Sequence, residues 1–245
     1  MMQLSNRLVA AWVLALMAPL TMAQNQNAVP PEPAGMTQLF NGTDLAGWDG
    51  DPTLWTVKDG LIRGETTAEK KAKGNTFLIC QAGTFGDFEL RLSYRVGNVN
   101  NSGVQYRSKH LADGKDNKWV AQGYQAEVRN DPVQTGFIYD EKGKRGRMCL
   151  PGEKATWTAE NKKQPDGEVS TKEERAKAFK VDGWNDYVII CKGNNIKHYL
   201  NGVQYIDFTD AEPKQAMKEG IIALQLHAGK EMWVEFKDIK IKKID

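Results

Sequence analysis

Polar and apolar residues alternate along much of the chain, which predicts β-strands. In residues 87–96, DFELRLSYRV, every second side chain from Phe88 to Val96 is apolar, and polar residues lie between them. A period of two is typical of a strand with one buried and one solvated face. Residues 184–208 contain three such runs separated by Gly-Asn-Asn and Asn-Gly, which predict two hairpins. A last strand is predicted over 231–244, with lysines that could protect a sheet edge.

The segment 150–180 breaks this pattern and predicts a long loop with one short helix. Residues 171–180, TKEERAKAFK, have a helical composition, and Thr171 and Glu174 have the spacing of a capping box. Elsewhere, many short strands joined by turns favour an all-β fold. We expect a two-sheet antiparallel jelly-roll sandwich, with the helix in the long loop.

Three predicted strands carry a polar face with ionisable groups. In 220–229, GIIALQLHAG, Ile221 and Ala223 share a face with Gln225 and His227. Corresponding faces occur in 101–108, with Gln105 and Arg107, and in 123–131, with Gln125, Glu127 and Arg129. In a sandwich the apolar faces form the core, and the opposite face of a curved sheet forms a groove.

Amide and guanidinium groups on such a groove suit a ligand with many hydroxyls. Trp48, Trp119 and Trp157 could stack on sugar rings from the rims. The alternative interpretation is an ordinary solvated sheet face, with His227 a structural histidine. For His198 packing is favoured, because its strand neighbours on the same face are apolar.

Length and charge narrow the class of protein. The first 23 of 245 residues read as a secretory signal peptide, with Arg7, an apolar stretch over 8–20 and small residues before the cut. A Pro-rich, disordered leader is expected over 24–36, and one domain over 37–245. We therefore expect a periplasmic or secreted protein with no membrane anchor after cleavage. A formal net charge of +2 makes nucleic acid an unfavourable partner.

Several common site chemistries lack support in the sequence. Cys80, Cys149 and Cys191 do not have the spacing of a zinc site. Cys80 and Cys191 lie in strand-like runs and are expected to be buried thiols, and one disulfide between cysteines is an alternative. A glycosidase needs two carboxyl groups about 5–9.5 Å apart, but the same-face strand neighbours of Glu127 are Gln125 and Arg129. No nucleophile elbow or phosphate loop is present. A metal site from Glu127, His227 and His198 has no supporting ligand spacing.

The ordered set of these segments resembles the bacterial 3-keto-disaccharide hydrolase domain family. The resemblance covers nearly the whole chain after residue 36 and rests on segments at 36–48, 55–65, 85–96, 101–108, 123–131, 136–141, 184–203 and 221–242. It implies a concanavalin A-like jelly roll and activity on 3-keto-glucosides, which a sugar 3-dehydrogenase would supply. A ketone at C3 acidifies the C2 proton, so the bond at C1 can break by elimination, followed by addition of water.

This reaction needs a base at C2, an acid at the leaving oxygen and a group that stabilises the enediolate. Strand alternation suggests Glu127 and His227 as base and acid in either order, with Arg107 or a bound divalent metal at the oxyanion. Further substrate-binding candidates are Gln105, Gln125, Gln225, Arg129, Tyr106 and Trp157. The segment 150–180 could cover the groove. The competing hypotheses are a non-catalytic carbohydrate-binding module and an ordinary glycosidase acting on unoxidised glucans.

Overall fold

The computed structural model describes residues 27–97, 100–112 and 117–244. The predicted signal peptide lies outside these residues. In chain order the elements are β1 (Thr37–Gln38), β2 (Trp48–Asp49), β3 (Trp55–Lys58), β4 (Leu61–Thr66), β5 (Thr76–Cys80), β6 (Phe88–Val96), β7 (Ser102–Leu111), β8 (Val120–Val128), β9 (Ile138–Glu141), β10 (Arg147–Cys149), β11 (Glu153–Trp157), β12 (Lys163–Glu168), α1 (Lys172–Ala178), β13 (Asn185–Lys192), β14 (Asn195–Leu200), β15 (Val203–Asp210), β16 (Ile221–Leu226) and β17 (Met232–Lys243).

Two facing sheets form a sandwich, which confirms the predicted all-β fold. Within the described ranges, the large sheet has ten strands in the order β12-β11-β15-β14-β13-β6-β17-β4-β3, with β1 paired to β17. The small sheet has seven, in the order β10-β9-β8-β7-β16-β5-β2. Strand pairs are antiparallel except β11 with β15. The last strand, predicted to be an edge, lies inside the large sheet between β6 and β4.

The core lies between the sheets and follows the predicted alternation. Phe88, Leu90 and Leu92 of β6 are buried there, opposite Leu224 and Leu226 of β16 in the same cluster. Apolar burial of this kind contributes roughly 25 cal/mol per Å² and is the main stabilising term. All three cysteines are buried free thiols, so the alternative of one disulfide is not realised.

His198 also lies in this core, as its sequence neighbours predict. Its Nε2 is 2.9 Å from the Tyr106 hydroxyl, and its Nδ1 is 3.1 Å from the Tyr187 hydroxyl. Burial lowers the pKa of His198 to about 3, so the ring is neutral. These contacts fix Tyr106 between the sheets as well.

The segment 150–180 differs from the expected long loop. It contains the hairpin β11–β12, which extends the large sheet beyond β15, and then α1. The capping box is confirmed: the Thr171 hydroxyl accepts from the Glu174 backbone N–H, and the Glu174 carboxylate accepts from the Thr171 N–H. Because β11 pairs with β15, this segment belongs to the opposite sheet from the predicted groove.

Residues 27–36, part of the predicted disordered leader, lie along the large sheet. The Val29 N–H donates to the Gly202 carbonyl at 3.2 Å, and the Arg91 guanidinium donates to the Pro30 carbonyl at 2.7 Å. Glu32 pairs with Lys240. Among the described residues, no helix combines the length and hydropathy needed to span a membrane.

A bulge in β7 shapes the outer face of the small sheet. Its register against β8 shifts between Tyr106 and Lys109, and Arg107 has a φ of +47°. The backbone at Gly220 lies close to the bulged part of β7, and only glycine fits there, since a Cβ at this position would lie 2.4 Å from the Ser108 carbonyl oxygen. Beyond the bulge, Trp119 and Ala121 pack over the outer face. The hairpin β7–β8 therefore covers part of the face that carries the candidate site.

Candidate active site

The outer face of β16 has an apolar half and a polar half, and the structure explains both. Ala223 packs in a small cluster with Phe77, Ile79 and Ala121, while Trp119 covers it from the hairpin β7–β8. The polar half opens into a pocket of about 320 Å³. Its lining residues are Asn75, Asn101, Gln125, Glu127, Arg129, Phe137, Tyr139, Glu141, Lys142, Arg147, Gln225 and His227.

Glu127 lies at the base of this pocket with only 3% of its surface exposed. Its Oε1 accepts from the Arg129 Nε at 2.8 Å, and its Oε2 accepts from the Gln125 Nε2 at 3.1 Å. Burial raises the pKa of Glu127 to about 7, while Arg129 and the Gln125 hydrogen bond act in the opposite direction. The carboxyl group can therefore both take and return a proton near neutral pH.

His227 follows directly after β16 and lines the same pocket. Its Nδ1 is 2.6 Å from the Ala228 carbonyl oxygen. Since a carbonyl oxygen can only accept, Nδ1 carries a proton and Nε2 is the nitrogen left to exchange one. Glu127 and His227, which were predicted to share one groove, both line this pocket.

Three glutamines form a buried layer beside Glu127. Gln105 and Gln225 each donate their Nε2 to the Gln125 Oε1 at 2.8 Å. The Ser108 hydroxyl in turn donates to the Gln105 Oε1 at 2.7 Å. Gln125 and Gln225 contribute to the pocket floor, whereas Gln105 is completely buried below it. Gln105 does not line this pocket, and its amide is engaged within the protein, so it is not placed to contact a ligand bound there.

Glu141 is a pocket residue that the alternation of single strands did not indicate. It ends β9, is 6% exposed, and accepts from the Asn75 Nδ2 at 3.3 Å. Burial raises the pKa of Glu141, and Asn75, Lys142 and His227 oppose that rise. The pocket therefore contains a second carboxyl group, contributed by a neighbouring strand rather than by β8.

Comparison with known proteins places the chain in a family. The 3-keto-alpha-glucoside-1,2-lyase-like domain model matches residues 35–242. The chain belongs to this family. A 3-keto-disaccharide hydrolase from Bacteroides thetaiotaomicron is 29% identical over 98 residues, which cover 36% of this chain and 34% of that protein. The match thus spans about a third of that relative.

Two solved structures show the same fold as this 3-keto-alpha-glucoside-1,2-lyase-like domain. A putative glycosyl hydrolase from Parabacteroides distasonis has a TM-score of 0.51 at 21% identity, covering 86% of this chain and 94% of that one. The carbohydrate-binding module CBM66 from Bacillus subtilis has a TM-score of 0.50 at 16% identity, covering 80% and 96%. Both an enzyme-like protein and a binding module therefore use this sandwich.

Arg107 and Tyr106, predicted from β7, are not part of the pocket of this family member. The Arg107 side chain is 1% exposed and donates to the carbonyls of Gly86 and Gly193 and to the Asp87 carboxylate, at 2.7–2.8 Å. It borders a different cavity of about 530 Å³. Tyr106 is fully buried beside His198. The bulge interrupts the alternation at Arg107, whereas Tyr106 lies with Val104 on the core face of β7. Neither side chain lines the pocket.

The predicted tryptophans do not line the pocket either. Trp157 lies on β11 in the large sheet, where its Nε1 donates to Asn161. Trp48 is buried in the core, and Trp119 covers the apolar half of the outer face. Trp157 therefore does not line this pocket, and the segment 150–180 contributes none of its lining residues.

The metal hypothesis loses one of its ligands, because His198 lies between the sheets. In the part of the chain that the structure describes, no three His, Cys, Asp or Glu side chains are grouped to hold one ion.

Proposed function

We propose that this protein cleaves 3-keto-glucosides in the pocket between Glu127 and His227. The observation that carries the proposal is a buried carboxyl group with a pKa of about 7 sharing one pocket with an imidazole. Family membership supports the reaction class. A sugar 3-dehydrogenase would supply the substrate, and the predicted signal peptide favours a periplasmic or secreted location.

The Glu127 carboxylate takes the proton from C2 of the bound sugar, and the electron pair of the C2–H bond passes to the C3 carbonyl oxygen. The resulting enediolate collapses, forms a C1–C2 double bond and breaks the bond from C1 to the leaving oxygen. Protonated His227 donates to that oxygen through Nε2. Water then adds at C1 and gives its second proton to the His227 Nε2. C2 takes up a proton from Glu127 after this carboxyl group has exchanged its proton with solvent, and the net reaction is hydrolysis.

The cationic side chains of the pocket suit the charge that develops at C3. Arg129 and Arg147 line it, and their guanidinium groups replace Arg107 in this role. A fixed positive charge in a site with little water stabilises an oxyanion more than it would in bulk solvent. A base must be ionised at the working pH and still be basic enough to remove the C2 proton. The pKa of Glu127, at about 7, meets both conditions near neutral pH.

Release of the aglycone from a 3-keto aryl glucoside tests the proposal. Glu127→Gln and His227→Ala should each lower kcat/KM by about 10²-fold or more. Glu160→Gln is the matched control, since this exposed carboxylate lies in the turn between β11 and β12. Binding of the keto-glucoside without cleavage by the wild-type protein would contradict an enzyme and favour a binding module.

Glu141 supports a second candidate, an ordinary glycosidase with two carboxyl groups. Both Glu127 and Glu141 line the pocket, and burial raises the pKa of each. Such an enzyme would release the aglycone from an unoxidised aryl glucoside and would lose that activity in Glu141→Gln as well as in Glu127→Gln. Cleavage restricted to the 3-keto substrate would exclude this candidate.

A further inference from the structure

The carboxylate of Glu127 is bonded to an amide that is itself held by two others. Gln105 and Gln225 are fully buried, and Gln125 is 2% exposed. We infer that Gln125, fixed by Gln105 and Gln225, is a positioning residue that holds Glu127 in its ionised, proton-accepting form. The inference deepens the proposed function, on which its catalytic meaning rests.

Hydrogen bonding determines which end of the Gln125 amide faces Glu127. Its Oε1 accepts from the Nε2 groups of both Gln105 and Gln225. Rotating the Gln125 amide by itself would oppose NH₂ to two NH₂ groups and would turn its oxygen towards the carboxylate. Each such buried mismatch costs about 1–3 kcal/mol. The Gln125 Nε2 therefore faces Glu127 as a donor.

The strand next to β8 leaves room for this arrangement. Gly103 of β7 lies opposite Glu127 in the strand register. A Cβ at Gly103 would lie 2.4 Å from the Gln125 Cδ, so the amide occupies the space that any other side chain would fill. Ser108 completes the chain of donors by binding the Gln105 Oε1. At the end of the row, the Gln125 Nε2 donates to the Glu127 Oε2 at 3.1 Å and also lies 3.4 Å from the Gln225 Oε1.

Other groups around the carboxylate also influence its charge. Arg129 from the end of β8, Arg147 from β10 and Lys142 after β9 are cationic, while Glu141 of β9 is acidic and His227 follows β16. From the large sheet, Tyr94 and Tyr187 interact electrostatically with Glu127. Among the described residues, hydrogen bonds to the Glu127 carboxylate come from Gln125 and Arg129. Gln125 is therefore the uncharged group whose loss removes a donor from the carboxylate.

A carboxyl-carbon NMR titration of Glu127, without substrate, tests the inference. The resonance is assigned by its disappearance in Glu127→Gln. In Gln125→Met the midpoint should rise by about one pH unit, because a donor to the ionised form is lost. In Gln225→Met and Gln105→Met it should rise less. Gln122→Met is the matched control on the same strand, since its amide bonds only the Lys142 carbonyl among the described groups, and it should leave the midpoint unchanged.

An unchanged midpoint in a folded Gln125→Met protein would overturn the inference. Where Gln125→Met does not fold, Gln225→Met decides by the same readout, a rise supporting the inference and no rise overturning it. In turnover, the acidic limb of kcat/KM should move to higher pH in the same variants. A shifted midpoint in a protein that cleaves no keto-glucoside would remove the proposed function and leave the positioning role of Gln125 intact.

Discussion

Burial disfavours the charged form of Glu127 more strongly than Arg129 and Gln125 favour it, so the pKa of its carboxyl group is raised. Replacing it by a neutral isostere would relieve that cost, so the fold itself gives no reason to keep a carboxylate there. Perturbed pKa values of this kind concentrate at functional sites. The raised pKa therefore supports the proposed role of Glu127 in proton transfer.

The pKa of Glu127 predicts how stability depends on pH. A folded-state pKa of about 7, above the ordinary 4.5, means that the folded protein binds the proton more tightly than the unfolded chain. The stability that this provides is complete below pH 4.5 and is lost as the pH rises through 7. Relative to Glu127→Gln, the wild-type free energy of unfolding should fall by about 3 kcal/mol between pH 4.5 and 8.

Urea unfolding of both proteins at several pH values measures this difference. Glu160→Gln controls for the removal of an exposed carboxylate. A wild-type free energy of unfolding that stays constant, or that rises with pH, relative to that of Glu127→Gln would show that burial does not govern this group.

At the scale of single elements, local signals predicted the strands well. The alternation in β6 and the Gly-Asn-Asn and Asn-Gly turns around β14 depend on near neighbours, and the structure confirms them. The strand β12, KQPDGE, contains Pro165 and Gly167 and no apolar period. It is a strand only because it pairs with β11, which pairs with β15, and no local pattern contains that information.

The bulge in β7 explains why Arg107 does not lie where strand alternation predicts. Its guanidinium joins the ends of β6 and β13 by bonding Asp87 and the Gly193 carbonyl. Arg107→Ala should therefore lower the free energy of unfolding by roughly 2–4 kcal/mol, through lost bonds to buried groups. The value of kcat/KM for the folded protein should change by only a few-fold.

Urea unfolding and keto-glucoside cleavage at low temperature, where the variant is folded, test both parts. Arg129→Ala is the matched comparison. Because its side chain lines the pocket, we expect a large loss of kcat/KM and little change in the free energy of unfolding. A large loss of kcat/KM in Arg107→Ala at unchanged stability would restore the catalytic role for Arg107.

At the scale of the whole molecule, the site depends on which strands become neighbours. Alternation correctly put Gln125, Glu127, Gln225 and His227 on outer faces, because facing direction is a local property. Glu141 was missed, since its place in the pocket depends on the pairing of β9 with β8 and on its contact with the distant Asn75. Single-strand patterns thus indicated the chemistry of the pocket but not its full membership.

Glu127 is proposed to remove the C2 proton of a 3-keto-glucoside. Cleavage of a 3-keto aryl glucoside in D₂O tests it most directly, with the released 3-keto-glucose analysed by mass spectrometry and NMR. The product incubated alone and with Glu127→Gln measures background exchange. We expect one deuterium at C2 in the product of the wild-type protein and none above background with Glu127→Gln. Cleavage that leaves C2 fully protonated would contradict the account.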